Sequence, residues 1–212
     1  MNNLVIAVKL ASGFQIKPYQ GFGKFFAEAL VELPPTKDSD PPTQFKAITW
    51  QAEKIQQSNP QPGSHLLLTG RIKIDKDRTT KAHSVVLSFY HFAVLAGPSQ
   101  VNSLCIIGRA GQDPEIKYFE SGNSVCNLSL AVNRKSKDDS PDWFPVELWN
   151  KPGQIVADYV RKGNLLGVTG SLEFENWTDR ATGVPRSKPV AKGQDITLLR
   201  VQGQTQEEDE GF

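Results

Sequence analysis

An internal repeat with an offset close to 100 residues constrains this chain more than any other feature. Self-similarity at a fixed offset indicates duplicated structural units, and a unit of this length is the size of a small domain. The matches fall at equivalent points of two similar patterns and include Leu4 with Leu104, Ile6 with Ile106, Ile16 with Ile116, Gly63 with Gly163, Leu66 with Leu166, Gly70 with Gly170, and Trp50 one residue away from Trp149. The repeat predicts two tandem domains of one design.

The second half of the chain has mostly the periodicity of β-strands. Short apolar or alternating runs, separated by Gly, Pro and charged clusters, cover residues 104–108, 124–132, 144–149, 165–174 and 194–201. One helix interrupts them between Pro152 and Lys162, with Gly163 directly after it. The order strand, strand, strand, helix, strand, strand is typical of a five-stranded Greek-key barrel, the OB-fold.

We therefore expect an all-β protein made of two tandem five-stranded OB-fold Greek-key barrels, the second with one short helix between strands three and four. The predicted division is a diverged barrel over residues 1–97, a linker over 98–100, a second barrel over 101–202 and a disordered acidic tail over 203–212. Proline and aspartate between Leu33 and Thr43 indicate an exposed loop in the first barrel.

The formal net charge of +1 hides an uneven distribution. Residues 1–203 carry all 24 basic side chains and 19 of the 23 acidic ones, whereas the last nine residues carry four acidic side chains and no basic one. No run approaches about 18 apolar residues, and the N-terminus has no signal-peptide pattern, so we expect a cytoplasmic protein. Cys105 and Cys126 lie in apolar runs, which favours buried free thiols.

Aromatic and basic residues occur together in the second half. Trp143 and Trp149 lie six residues apart on one predicted strand, an even spacing that places both indoles on the same face. Trp177 ends the long fourth strand, and cations surround these positions in the sequence. Exposed indoles offer platforms on which unpaired bases stack, and Lys and Arg neutralise phosphates. This combination indicates binding of a single nucleic-acid strand.

Many elements of this half, in order, resemble the bacterial-type single-stranded DNA-binding proteins. The segments that carry the resemblance are residues 101–109, 113–118, 122–131, 142–144, 148–151, 159–163, 170–172 and 177–179. The resemblance implies sequence-nonspecific binding and protection of single-stranded DNA in replication, recombination and repair, and with it a nucleoid-associated location in the cytoplasm. It also implies that this two-barrel chain forms a homodimer presenting four OB-folds.

The resemblance also assigns site residues. Trp143 and Trp177 match stacking tryptophans of the family, and Trp149 stands where the family usually has a stacking phenylalanine. Trp50 of the first barrel is a further expected nucleic-acid contact. The expected contacts also include the cations Arg109, Lys117, Arg134, Lys135, Lys151, Arg180, Arg186 and Lys188. The tail resembles the acidic tip with which the family recruits replication and repair proteins, and its residues are Glu207, Glu208, Asp209, Glu210 and Phe212.

Nothing in the sequence indicates catalysis. The three histidines, His65, His83 and His91, have no metal-ligand spacing and no nucleophile motif beside them, so we expect no enzyme activity, no cofactor and no metal. Two alternatives to DNA binding stay open. One is an accessory OB-fold protein that binds RNA or aids replication restart, and the other is a protein-binding adaptor without nucleic-acid affinity.

Overall fold

The structure, a computed structural model, describes residues 1–19, 23–34, 42–76, 83–134, 140–180 and 182–199. Strands dominate these residues, and two helices accompany them. The elements are β1 (Asn2–Leu10), β2 (Gln15–Tyr19), β3 (Lys24–Leu33), β4 (Thr43–Thr49), α1 (Ala52–Ser58), β5 (His65–Lys76), β6 (His83–Leu95), β7 (Asn102–Ala110), β8 (Glu115–Tyr118), β9 (Ser124–Val132), β10 (Asp142–Trp149), α2 (Asn150–Tyr159), β11 (Leu165–Thr178) and β12 (Pro185–Leu199).

Each half closes its strands into a ring. In the first half β1 pairs with β3 and β5, β3 pairs with β4, β5 pairs with β6, and a parallel pairing between β4 and β6 completes the circuit. The second half repeats this circuit with β7, β9, β10, β12 and β11. Closure leaves these strands few unpaired edges, and the short strands β2 and β8 each extend one side of their ring.

The alternation of side chains explains which face of each strand is buried. Leu4, Ile6, Val8 and Leu10 of β1 point into the first ring and are at most 2% exposed. Leu104, Ile106 and Ala110 do the same in the second ring. Because successive side chains of a strand point to opposite faces, the residues between them lie on the outside of the rings.

One glycine in each ring allows a strand to bend sharply. The register of β5 with β6 shifts between Thr69 and Gly70, and that of β11 with β12 shifts between Thr169 and Gly170. A Cβ atom at Gly70 would lie 2.3 Å from the Ser88 carbonyl oxygen, and one at Gly170 would lie 2.0 Å from the Lys192 oxygen. Only glycine therefore permits this close backbone approach at the two bulges.

The helices differ from the sequence-based expectation. α2 begins at Asn150 and ends at Tyr159, earlier than the predicted bounds of Pro152 and Lys162. It packs closely on β9, since a Cβ atom at Gly153 would lie 3.1 Å from Cβ of Cys126. The first half also contains a helix, α1, which the sequence reading did not predict. At seven residues, α1 is too short for helical periodicity to stand out.

Each half contains six strands, of which five form the ring and the short β2 or β8 pairs with β3 or β9 as an extension. The expectation for the cysteines needs correction. Both cysteines are free, and Cys126 is buried, but Cys105 is only partly buried because it faces outward on β7. Burial raises the pKa of the Cys126 thiol to about 11. In the described part of the chain, neither helix has the length and apolar character to span a membrane.

The two halves are joined through their first strands. β1 and β7 pair antiparallel with Leu4 opposite Leu104, two residues that are counterparts in the repeat. The Ala7 N–H donates to the Val101 oxygen, and the Ile107 N–H donates to the Met1 oxygen, both at 2.7 Å. This joint therefore has approximate two-fold symmetry about the Leu4–Leu104 pair.

Matching asparagines flank the joint. The Asn2 side chain donates to the Ile72 oxygen at 3.0 Å and accepts from the Ile72 N–H at 2.9 Å. The Asn102 side chain binds Leu172 in the same way, at 2.8 Å and 3.0 Å. Farther from the joint, Phe45 of the first half stacks on Phe174 of the second, with ring centroids 5.7 Å apart.

The paired hydrogen bonds of Asn102 with the Leu172 backbone, which we call the asparagine clamp, generate a stability prediction. Asn102→Ala leaves the backbone N–H and oxygen of Leu172 without their partners, so we expect the free energy of unfolding to fall by about 1–3 kcal/mol in urea denaturation. Asn123→Ala, which removes an exposed side-chain contact to Ser121, is the matched control and should change stability little. Equal unfolding midpoints for the two variants would contradict the clamp.

Candidate nucleic-acid interface

Trp143 and Trp149 lie on the outer face of β10. Their exposed fractions are 48% and 45%, whereas the intervening Phe144 and Leu148 are at most 1% exposed. The prediction that both indoles share one face is therefore confirmed by the alternation of burial along the strand. Two large aromatic surfaces stay accessible on a rigid, paired strand.

Each of these tryptophans shares a cross-strand row with a cation. Ala131 of β9 is opposite both Trp143 and Arg109, and Val125 of β9 is opposite both Trp149 and Lys117. Residues paired in this way lie on one face of the sheet, about 5 Å apart from strand to strand. Each indole therefore has a positive charge two strands away on the same surface.

Trp177 repeats the arrangement on the hairpin of β11 and β12. It is 46% exposed, and its partner directly across the hairpin is Arg186. The Arg186 Nε lies 3.9 Å from a carboxylate oxygen of Asp179, near the end of the hairpin. All three tryptophans predicted for the second half are thus exposed and in register with a predicted cation.

Gly111 allows Trp143 to lie close to the end of β7. A Cβ atom at this position would be 2.4 Å from Cζ3 of the indole, and the Gly111 N–H donates to the Ser129 oxygen at 2.8 Å. The glycine is therefore held in place by the backbone while the indole covers it. Sequence reasoning missed this contact because glycine itself carries no chemical signal.

Trp149 is held by two further residues. Its Nε1–H donates to the Glu147 carboxylate, and its ring stacks on Phe119 with centroids 5.7 Å apart and planes at 13°. Neither residue was among the predicted contacts. Phe119 is 46% exposed and could have been found through its counterpart in the repeat, Tyr19.

Glu147 also belongs to a chain of charges. Lys192 lies 2.6 Å from Glu147 and 3.3 Å from Glu175, and Lys188 lies 3.6 Å from Glu175. Burial opposes ionisation of the Glu147 carboxyl, but hydrogen bonds from Lys192 and Trp149 outweigh it and lower its pKa. Burial likewise disfavours the charged Lys192, and the two carboxylates outweigh it and raise the lysine pKa.

The remaining predicted contacts fall into three groups. Lys151 and Arg180 are exposed. Arg134 is not a solvated cation, because it is largely buried and its guanidinium lies 2.8 Å from the buried Asp142 carboxylate. Lys135 and the tail residues Glu207, Glu208, Asp209, Glu210 and Phe212 lie outside the described residues.

Trp50 belongs to a separate aromatic group in the first half. It follows β4, is 52% exposed, and contacts Tyr19 edge-on at 5.0 Å and Phe26 at 5.8 Å between ring centroids. Phe25, beside them on β3, is 55% exposed. The sequence singled out Trp50 alone and left the role of its neighbours open.

The described residues contain no cluster of three or more His, Cys, Asp or Glu side chains that could hold a metal ion. The charged groups near the tryptophans are instead arranged as ion pairs and isolated cations. This arrangement can bind an extended anionic ligand with flat apolar groups.

The contact between Gly111 and Trp143 generates a second prediction. In Gly111→Ala the new methyl group collides with the indole, so we expect Trp143 to move outward, with a red shift of tryptophan emission and altered near-UV circular dichroism. Gly13→Ala is the control, because a Cβ atom there meets nothing within 4 Å. Identical spectra for the two variants would show that Trp143 does not depend on Gly111.

Comparison with known sequences agrees with this geometry. The model of the Single-strand binding protein family matches residues 101–199. The Single-stranded DNA-binding protein 1 of Synechocystis is 56% identical over 101 residues, which cover 47% of this chain and 84% of the relative. The Single-stranded DNA-binding protein 1 of Nostoc is 53% identical over 111 residues, which cover 52% and 91% of the two chains.

Comparison with solved structures extends to both halves. The wild-type single-stranded DNA binding protein from Thermus aquaticus superposes with a TM-score of 0.70 over 97% of this chain and 96% of its own, at 18% identity. That identity is low, so this likeness shows a shared fold for the whole chain. The sequence likeness is much closer and covers more than four-fifths of the Synechocystis relative. On that ground the chain belongs to the single-strand binding protein family.

Proposed function

We propose that this protein binds single-stranded DNA without sequence preference. The observation that carries the proposal is that an exposed tryptophan and a cation share a cross-strand row at three places: Trp143 with Arg109, Trp149 with Lys117, and Trp177 with Arg186. Both curated relatives named above are called single-stranded DNA-binding proteins. A single strand alternates flat bases with phosphates, and these rows offer a surface for each.

Stacking supplies the part of the affinity that depends on bases. Each base that stacks on an aromatic side chain contributes about 1–3 kcal/mol, and every base has a π-face, so the contribution is insensitive to sequence. A paired base has its faces covered by its neighbours in the duplex, whereas an unpaired strand can present them. The three tryptophans therefore select for unpaired nucleotides.

The cations supply the part that depends on phosphates. Arg109, Lys117, Lys151 and Arg180 form no ion pair within the part of the chain that the structure describes, and all four are exposed. They are the strongest candidates for direct phosphate contacts. Lys135 is proposed as a further phosphate contact. Arg134, Arg186 and Lys188 already hold carboxylates, so they act by exchanging those partners for phosphate or by orienting their neighbours.

We further propose that each half is an OB-fold barrel of five strands with a helix between strands three and four, with bounds at residues 1–97 and 101–202 and a linker over 98–100. The strand circuits and the placement of both helices support this description. In this proposal the protein acts in replication, recombination and repair as a binding protein and not as an enzyme. The acidic tail from residue 203 recruits partner proteins by presenting Phe212 to basic pockets that hold an apolar slot.

A homodimer is the assembly that the outer sheet supports. Across β6, β5, β1, β7, β11 and β12, the middle of the outer face carries the partly exposed side chains of Val5, Leu67, Cys105, Ile107 and Leu165. The joint is approximately two-fold symmetric, so a two-fold rotation about the Leu4–Leu104 pair maps this face onto itself. Two-fold dimers use the same patch on both subunits, and this face can serve as such a patch. We therefore propose a second copy of the chain as its partner.

The DNA-binding proposal predicts tight binding of oligo-dT with quenching of tryptophan fluorescence. Trp143→Ala combined with Trp177→Ala should weaken binding by about 3 kcal/mol, or more than about 100-fold in Kd, because two stacking platforms are lost. Tyr159→Ala, which removes an exposed aromatic outside the three rows, is the control and should bind like the unmodified chain.

Four direct phosphate contacts also predict the salt dependence. A plot of log K against log salt should have a slope of about −3 for this protein on a single strand. Absence of binding to oligo-dT at low salt would refute the proposal. Tighter binding of oligo-U than of oligo-dT would favour the RNA-binding alternative.

The assembly proposal predicts a particle of twice the 23.4-kDa chain mass in light scattering. Leu67→Glu places a charge in the middle of the apolar outer face, so we expect it to shift the mass towards the monomer. Tyr159→Glu, on the surface of α2, should stay dimeric. A monomeric unmodified protein, or a dimer unaffected by Leu67→Glu, would rule out this face.

A further inference from the structure

The short strand β8 ends the sheet of the second half with one side unpaired. Among the described strands β8 pairs with β9 alone, and it stands last in the strand order. Glu115, Lys117 and Tyr118 are exposed, whereas Ile116 packs partly against the core. An exposed edge strand can accept a further strand through its outward backbone groups. This edge is therefore a place where another chain can add to the sheet.

The register shows which backbone groups of β8 face outward. The Phe119 N–H donates to the Asn123 oxygen at 2.9 Å, so this pair begins the hydrogen-bonded ladder between β8 and β9. Antiparallel ladders alternate hydrogen-bonded and non-hydrogen-bonded pairs along the strand. The N–H and C=O groups of Ile116 and Tyr118 therefore point away from β9. In agreement, the Ser124 N–H, opposite Tyr118, donates to a side chain of α2 at 3.0 Å instead of to β8.

Two copies of β8 can pair with each other in a self-complementary register. With Ile116 opposite Ile116 of a second copy, the outward groups of both residues meet in a hydrogen-bonded pair. The same register places Glu115 of each copy opposite Lys117 of the other, at two places related by a two-fold axis. The Tyr118 N–H of each copy can also donate to the Pro114 oxygen of the other. Side chains directly opposite each other share one face, and opposite charges there stabilise the pairing.

Glu115 and Lys117 are available for this pairing, because neither forms an ion pair with any described residue. In the first half the equivalent cation, Lys17, already pairs with Glu28 of β3. The second half has Asn127 in place of Glu28, and β9 contains no acidic residue. A lysine has three N–H donors, so Lys117 can hold a carboxylate of a second copy and a phosphate at once.

The equivalent edge of the first half is closed to the same pairing. Pro18 of β2 stands where β8 has Tyr118, and a proline has no N–H to donate. Gln15 stands where β8 has Glu115, so the opposite charges are missing as well. Proline on an edge strand is a common protection against the addition of another strand. The difference between the halves favours β8, and not β2, as an interface.

We propose that the free edge of β8 is an interface between copies of this chain, formed by antiparallel pairing of two β8 strands about Ile116. It is separate from the apolar outer face proposed for the homodimer. A dimer carries two such edges, one on each chain, so edge pairing joins dimers into an open chain. The contact is small and therefore weak in solution, and copies that share one bound strand meet at a high local concentration. Only this last consequence rests on the proposed function.

Charge reversal tests the register in the absence of DNA. In sedimentation equilibrium, the mass of the unmodified protein should rise above its low-concentration value as the protein concentration increases. In Glu115→Lys two lysines oppose each other at both places, so we expect this association to weaken about tenfold. Glu115→Lys combined with Lys117→Glu restores opposite charges in the same register and should associate like the unmodified chain. A mass independent of concentration in the unmodified protein, or no recovery in the double variant, would overturn the inference.

A backbone variant tests the hydrogen bonds of the interface. Tyr118→Pro removes an outward N–H and leaves the bonds from β8 to β9 in place, so the association should weaken. Tyr118→Ala is the matched control, because it removes only side-chain atoms and keeps the N–H. Equal association constants for these two variants would also overturn the inference. Failure of the unmodified chain to bind oligo-dT would instead refute the proposed function and leave this interface standing, because the sedimentation measurements contain no DNA.

Discussion

The antiparallel pairing of β1 with β7 is the constraint on which the rest of the structure depends. It joins the first strands of two closed rings, and its register places Leu4 opposite Leu104. Each ring needs its first strand for closure, so the same two strands carry the core contacts inside and the joint between the halves. Asn2 and Asn102 add matching hydrogen bonds on either side, which tie the joint to β5 and β11. A slip of this register would turn core residues outward in both halves.

This joint makes the two halves sides of one continuous sheet and leaves their other surfaces free to differ. The second half keeps exposed tryptophans on β10 and β11, where paired strands hold them at fixed spacing. The first half replaces one of them by Gln44 and gathers aromatic residues around Trp50. Such divergence costs little stability, because none of these side chains belongs to the buried core. Two copies of one fold can therefore present different outer surfaces.

Local patterns predicted the strands of the second half and the shared face of Trp143 and Trp149, because both follow from the two-residue period of a strand. They failed where the determining contact lies between two strands rather than within one. The pairing of Trp177 with Arg186, the approach of Trp143 to Gly111, and the ion pair of Arg134 with Asp142 depend on strand register, which no single segment specifies. The helix α1 was missed for another reason, since seven residues give too short a period. For the three contacts, the sequence showed the residue types but not which residues would be partners.

The carboxylates beside the tryptophans bear on how such a surface works. Glu147 and Glu175 alternate with Lys192 and Lys188, so this chain of charges is close to neutral. It therefore adds little to the attraction of phosphates, but it orders its members: Glu147 also accepts the hydrogen bond that orients Trp149. A neutral network of charges that holds an indole in place reduces the entropy lost when a base stacks on that indole. In the proposed function, the positive charge that attracts the strand comes from cations such as Lys117 and Lys151, which form no ion pair with this charge network. Orientation of the aromatic rings and attraction of the backbone are thus assigned to different charged groups.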